Sequence, residues 1–190
     1  MSRRIFTFES PDRFVCGAVG EPGQRVFFLQ ASKGQRTVSV ALEKAQVAVL
    51  AERLALMLLR LREQGEPAAS GTSPQIELPP QPETLAEPIV EEFRVGSMIL
   101  SWDEDAERVV IEAQELGAGV SDEEGEPEEV ADDDPDGPDL VRIHLQPTEA
   151  QSFVAGAVAV IQAGRPPCPN CGEPLDPTGH FCARRNGYAH

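Results

Sequence analysis

Apolar and polar residues alternate with a period of two in Ile5-Phe-Thr-Phe-Glu9, Val38-Ser-Val-Ala-Leu42 and Val141-Arg-Ile-His-Leu145, which predicts half-buried strands at these places. The runs Phe14-Val-Cys-Gly17, Arg25-Val-Phe-Phe-Leu29, Phe93-Arg-Val-Gly96 and Arg108-Val-Val-Ile-Glu112 read as further strands. After Leu42 and again after Leu145 the spacing becomes helical. The first helix runs from about Ala45 to Leu61, and Glu52 and Arg53 interrupt its apolar character, so it is a buried helix and not a membrane span. With Leu50, Leu54, Met57, Leu58 and Leu61 it is too apolar to stand on the surface, and a core element or a dimer contact is expected. The second runs from about Glu149 to Ala163. Thr148 and Gln151 form a capping-box pattern behind Pro147, and Gly164 before Arg-Pro-Pro stops the helix. Its small residues, Ala155, Gly156, Ala157 and Ala159, predict close packing.

The order of these elements is the same in both halves of the chain. Strand, strand, strand, helix from Phe14 is matched by strand, strand, strand, helix from Phe93, which predicts an internal duplication. One such unit leaves a sheet face bare. Two related by a pseudo-twofold axis bury both helices and both sheet faces, so the expected fold is α+β with duplicated units. The predicted boundaries are 1–63 for the first unit, 64–91 for a connector, 92–164 for the second unit and 165–190 for a separate tail.

Composition fills in the connections. At 190 residues, 41% hydrophobic and 5% aromatic, the chain can build a core mainly from Ala, Val and Leu. Prolines 67, 74, 79, 80, 82 and 88 mark the connector as an extended, mobile linker. Residues 121–139 hold eleven acidic side chains, no basic one and almost nothing apolar, which predicts a solvated, disordered insertion rather than a calcium loop. It supplies much of the net charge of −16. The N-terminus passes from two arginines directly into a strand pattern without an apolar signal region. With no disulfide framework among the cysteines, a reducing cytoplasm is expected.

The tail carries the strongest chemical signal. Cys168-Pro-Asn-Cys171-Gly, followed by His180-Phe-Cys182, places three thiolates and an imidazole at spacings that close a tetrahedral Zn(II) shell. One zinc per chain is expected, held by Cys168, Cys171, His180 and Cys182. His190 is the competing candidate for the fourth position, and the shorter ring closure favours His180. A thioredoxin-type redox pair wants a strand before and a helix after, whereas Pro166-Pro167 precede and Pro174 follows. Four protein ligands leave no open coordination position, so the zinc reads as structural; a catalytic zinc requires only the three cysteines to bind.

No phosphate-binding glycine loop, dinucleotide fingerprint, nucleophile elbow or His-Glu-x-x-His motif occurs in the chain. His144 shares a strand face with Arg142 and reads as solvent-facing, and Cys16 as a small buried side chain. No catalytic residue and no organic cofactor is assigned.

The opening Ile-Phe-Thr-Phe-Glu-Ser-Pro-Asp-Arg-Phe, the segment Arg-Val-Phe-Phe-Leu-Gln-Ala, the Ser-Trp-Asp strand around Trp102 and the tail Cys-Pro-x-Cys-Gly-x-Pro-Leu-Asp-Pro-x-Gly-His-x-Cys resemble an actinobacterial family of conserved hypothetical "repeat" proteins. The likeness covers nearly the whole chain apart from its two linkers. It implies a cytoplasmic protein of unknown function, with gene neighbours similar to a phosphatidylinositol kinase and a histidine phosphatase. Members typically carry proline after the last cysteine and a basic C-terminus, where this chain has Ala183 and Ala189-His190. Two functions are carried forward. The favoured one is a non-catalytic adaptor that docks on a protein partner, the kinase-like neighbour being the candidate, with Arg184, Arg185 and Tyr188 as a basic and aromatic surface beside the zinc. The alternative is a metal-assisted hydrolase or transferase with an incompletely closed zinc site. Nucleic acid is disfavoured by the net charge, and no membrane partner is expected.

Overall fold

The computed structural model describes residues 3–21, 23–79, 82–117 and 137–163. Its elements are β1 (Ile5–Glu9), β2 (Arg13–Val19), β3 (Val26–Lys33), β4 (Arg36–Leu42), α1 (Lys44–Glu63), a 3-10 turn (Pro67–Ala69), β5 (Glu91–Asp103), β6 (Arg108–Glu115), β7 (Leu140–Leu145) and α2 (Pro147–Gln162). Seven strands form one sheet in the order β1-β7-β6-β5-β4-β3-β2. The fold is α+β, and strand, strand, strand, helix occurs twice, from β2 to α1 and from β5 to α2.

The two edge strands, β1 and β2, are joined by only Ser10, Pro11 and Asp12. Were the sheet flat, its six gaps of about 4.8 Å would separate them by roughly 29 Å, while three residues bridge at most about 14 Å. The sheet therefore curls until its edges meet. Ser10 takes a positive φ of 53° at this corner, and the Asp12 N–H donates to the carbonyl of Ser32 at 2.9 Å. Asp12 also accepts from the N–H of Gly34 at 2.8 Å, in the two-residue turn between β3 and β4, and the Lys33 ammonium donates to the carbonyl of Glu9. Arg36, on the same hairpin, lies over the rings of Phe6 and Phe8 at 5.5 and 5.1 Å.

Two parallel contacts hold the barrel together. β1 runs beside β7, with Phe8 opposite Ile143 and Glu9 opposite His144, and the first residues of β5 run beside β4, with Arg94 opposite Ala41. β5 then shifts register between Val95 and Ser97 and continues antiparallel to β6 as far as Asp103. Gly96 at the shift has no room for a Cβ, which would stand 2.8 Å from the Cα of Leu116. β5 thus joins the strand expected at Phe93–Gly96 to the one expected around Trp102, because after the bend it finds a new partner in β6.

The concave face carries the core: Cys16, Leu29, Val40, Ile111 and Ile143 from the strands meet Val47, Leu50, Leu54 and Leu58 of α1 and Ala150, Phe153, Val154 and Ala157 of α2. Ala- and Leu-rich composition favours α1 as a helix, and its ends are well specified. Glu43 and Gln46 close a capping box at its start. At its end Gly65, with φ 79°, lets the N–H of Glu66 reach the carbonyl of Leu61 and its own N–H reach that of Arg62. α2 begins two residues earlier than its sequence pattern suggests. Its capping box is Gln146 and Glu149, not Thr148 and Gln151, because Pro147 has the φ of a first helical residue and lacks the N–H that position leaves unpaired.

The proline-rich connector, expected to be mobile, is packed against the rest. Ala69 and Thr72 are buried between it and the helices, and Gln151 grips the backbone of Ser73, accepting from its N–H at 3.0 Å and donating to its carbonyl at 2.6 Å. Further along, Leu85 sits directly over Gly17 on the convex face of β2, in the space a Cβ would need. The acidic insertion, apart from residues 137–139, lies outside the described residues, as does the whole of the tail after Ala163. The N–H of Glu115 bonds the carbonyl of Asp139 at 2.8 Å, so the chain leaves and re-enters the fold at one place.

Candidate functional site

Cys168, Cys171, His180, Cys182 and the competing His190 all lie outside the described residues. Among the described residues no three His, Cys, Asp or Glu side chains converge as a metal site. No described helix is long and apolar enough to cross a membrane.

Two residues weighed for chemistry are placed within the barrel. Cys16 lies on the concave face of β2 and is buried, and burial alone pushes its thiol up to about 12, so at neutral pH it is a protonated, apolar side chain. His144 is on the convex face with Arg142, as expected, but it is not open to solvent. Its side chain is only 15% exposed, because β1 runs alongside and sets Glu9 next to it, with the carboxylate 3.5 Å from Nε2. Arg142 is held by Glu112 on the neighbouring strand. Strand alternation gave the face of His144, while its cover comes from a strand more than a hundred residues away.

The feature that sequence reasoning missed is a groove between α1 and β5. Once β5 has turned away from β4 at Gly96, residues 96–103 have a strand partner on one side only, β6. In an antiparallel ladder alternate residues turn their N–H and C=O outward, so this stretch presents a half-free edge. α1 runs beside that edge without closing on it. The space between them has a volume of about 880 Å³ and is lined by Val49, Leu56 and Met57 of α1 and by Met98, Ile99 and Leu100 of β5. Val49 and Leu56 remain 46% and 48% exposed.

The opposite helix shows what closure looks like. α2 packs onto β2, the strand that follows the other bend, and the rings of Phe14 and Phe153 stack there with centroids 4.4 Å apart. Among the described residues no aromatic pair fills the α1 side.

One polar stripe crosses the groove. Gln46, Arg53 and Arg60 recur every seven residues on α1, about 10.5 Å apart along its axis. Gln46 already donates to the carbonyls of Val95 and Gly96, at 3.1 and 3.4 Å, fixing the helix to the start of the edge. Arg53 and Arg60 extend the same stripe along the remainder. Arg4, Arg13, Arg94 and Arg142 are each paired with carboxylates, but among the described residues Arg53 and Arg60 have none within 4.0 Å. The seven-residue recurrence of Gln46, Arg53 and Arg60 was the available signal in the sequence. It was masked by the apolar residues around it, which read as core or as a dimer contact.

A family model described as "Protein of unknown function (DUF3090)" matches residues 6–182. No curated protein and no solved structure matches the chain.

Proposed function

The chain belongs to the DUF3090 family of proteins of unknown function, and from that premise we propose that it is a non-catalytic protein-interaction module. The observation that carries this reading is the groove between α1 and residues 96–103 of β5, where a large apolar surface and a half-paired strand edge stand together. Edges of this kind are ordinarily blunted by charge, bulges or a covering element, and a long one left beside exposed Val49 and Leu56 is a surface suited to being covered by another chain.

The proposal includes a structural zinc in the tail, held by Cys168, Cys171, His180 and Cys182, which staples a segment too short to bury a core of its own. It also takes the two halves, β1–α1 and β5–α2, as products of a duplication. In support, the first strand of each half begins parallel to the last strand of the other half, β1 with β7 and β5 with β4. The partner is a protein, and the kinase-like neighbour implied by the sequence resemblance is the first to test.

The test is affinity capture of the intact protein from its host, beside Leu56→Glu and Cys168→Ser/Cys171→Ser variants of confirmed fold. A stoichiometric protein retained by the native chain and lost with Leu56→Glu supports the reading. Identical retention by native chain and Leu56→Glu contradicts it.

A further inference from the structure

Resting on that interaction reading, we propose that the occupant of the groove is an extended acidic segment of another protein, added as a strand to β5 between Gly96 and Asp103. Three observations specify this chemistry. The half-free edge offers backbone N–H and C=O groups at alternate residues, which an extended backbone satisfies and a helix does not, since a helix bonds its own backbone internally. The wall opposite, Val49, Leu56 and Met57, takes apolar side chains from among the alternate positions that such a strand turns towards α1. Arg53 and Arg60 then supply two cations over the same space, both exposed and both without a carboxylate among the described residues.

Charge makes the last point selective. In a chain of net charge −16, two arginines on one apolar groove with no carboxylate partner among the described residues are a local reversal of sign. They favour carboxylates at contact distance and disfavour a basic segment. Strand spacing of about 3.3 Å per residue puts carboxylates two or four residues apart, about 7 or 13 Å, bracketing the 10.5 Å between Arg53 and Arg60 within the reach of their side chains. Gln46 shows the mode on a small scale, since its amide already serves the edge carbonyls where a strand partner ends.

The probe is a short fluorescein-labelled peptide that carries valine and glutamate by turns at the alternate positions facing α1, with threonine at every intervening position, titrated against the full chain by fluorescence anisotropy. The controls are the same peptide with lysine for glutamate, and one with alternate backbone nitrogens methylated. Binding of the valine–glutamate peptide at least about tenfold tighter than either control is expected, a difference of about 1.4 kcal/mol. An Arg53→Glu/Arg60→Glu double variant whose circular dichroism and cooperative unfolding match those of the native chain should invert the preference towards the lysine peptide. Equal binding of the acidic and basic peptides overturns the proposal, and so does full binding of the methylated one. Two further results also overturn it: a native dimer, seen by sedimentation and dispersed by Leu56→Glu, which gives the groove to a second copy, and peptide binding only after deletion of residues 121–136, which gives it to the chain's own acidic stretch. If Leu56 still governs capture of a cellular protein while the valine–glutamate peptide fails, the interaction reading survives and the acidic strand does not.

Discussion

The side chain of Gln30 clasps the backbone of Ala86 from both directions, donating to its carbonyl at 3.0 Å and accepting from its N–H at 2.8 Å. Gln30 is 1% exposed and also donates to the hydroxyl of Ser39, so its amide is fully occupied on the convex face of the sheet. Fifty-six residues apart, these two groups convert a proline-rich connector into part of the fold. Arg13 reinforces the seam by pairing with Glu83 and donating to the carbonyl of Thr84.

Replacing Gln30 by Leu removes this clasp and leaves the Ala86 amide without its partner. The expected loss is about 1–3 kcal/mol of stability, the cost of an unsatisfied buried polar group. Urea unfolding measures it, and limited proteolysis should show new cleavage between Pro82 and Val90. Unchanged stability and unchanged cleavage would mean that the seam is held by other contacts.

A methyl group at Gly96 meets backbone and not a yielding side chain, since the nearest atom is the Cα of Leu116. Gly96→Ala should therefore destabilise by about 1–3 kcal/mol, the range for overpacking, and lower the melting temperature. Gly156→Ala is the control, because a Cβ there meets nothing within 4 Å and helix propensity improves.

Much of the architecture was legible from local pattern. Period-two alternation located β1, β4 and β7, and the switch to helical spacing after Leu42 and Leu145 located both helices, because these signals arise from one buried face of a single element. What local pattern does not encode is which strands become neighbours. β1 beside β7 and β4 beside β5 are long-range parallel contacts, and from them follow the burial of His144, the bend at Gly96 and the half-free edge beyond it. Residues such as Val49, Leu56 and Met98 have the same hydropathy whether they fill a core or line a groove. The zinc ligands remain a proposal from spacing alone.

Because burial raises the Cys16 thiol to about 12, it should resist thiol reagents in the folded protein and react once urea unfolds it, as peptide mapping by mass spectrometry would show. The same shift has a stability consequence. Above the unfolded value of 9.0 the unfolded thiolate forms while the folded thiol keeps its proton, so the folded state binds more protons and stability falls with rising pH. Between pH 9 and 12 the loss approaches about 1.4 kcal/mol per pH unit from this group, and below 9 it vanishes. Urea unfolding at pH 8 and pH 10, compared with Cys16→Ala, isolates it: the native chain should lose more stability over that interval than the variant.

Deletion of Glu123 to Asp136 should change the melting temperature little. The hydrogen bond from Glu115 to Asp139 brings the two ends together, so a short connection can replace the insertion. Differential scanning calorimetry checks this, and a collapse of cooperative unfolding would show that the acidic stretch contributes to the core.

For the tail, elemental analysis should find about one zinc per chain, with His180→Ala holding it weakly and His190→Ala leaving it in place. Thermal unfolding of the barrel should be the same in both variants, because the core cluster of the described residues ends at Val160. Release of zinc by His190→Ala alone would assign the fourth ligand to His190.

Everything proposed for the groove between α1 and β5 requires that another protein cover it. A photo-crosslinking amino acid placed at Leu56 in the intact protein, irradiated inside the host cell, tests this directly, with the same label at exposed Val19 on β2, three strands from β5 in the sheet order, as reference. The account predicts one dominant covalent adduct with a different protein from Leu56, through a segment rich in Asp and Glu, and none from Val19. Equal, diffuse labelling from both positions, or no protein adduct from Leu56, would contradict it.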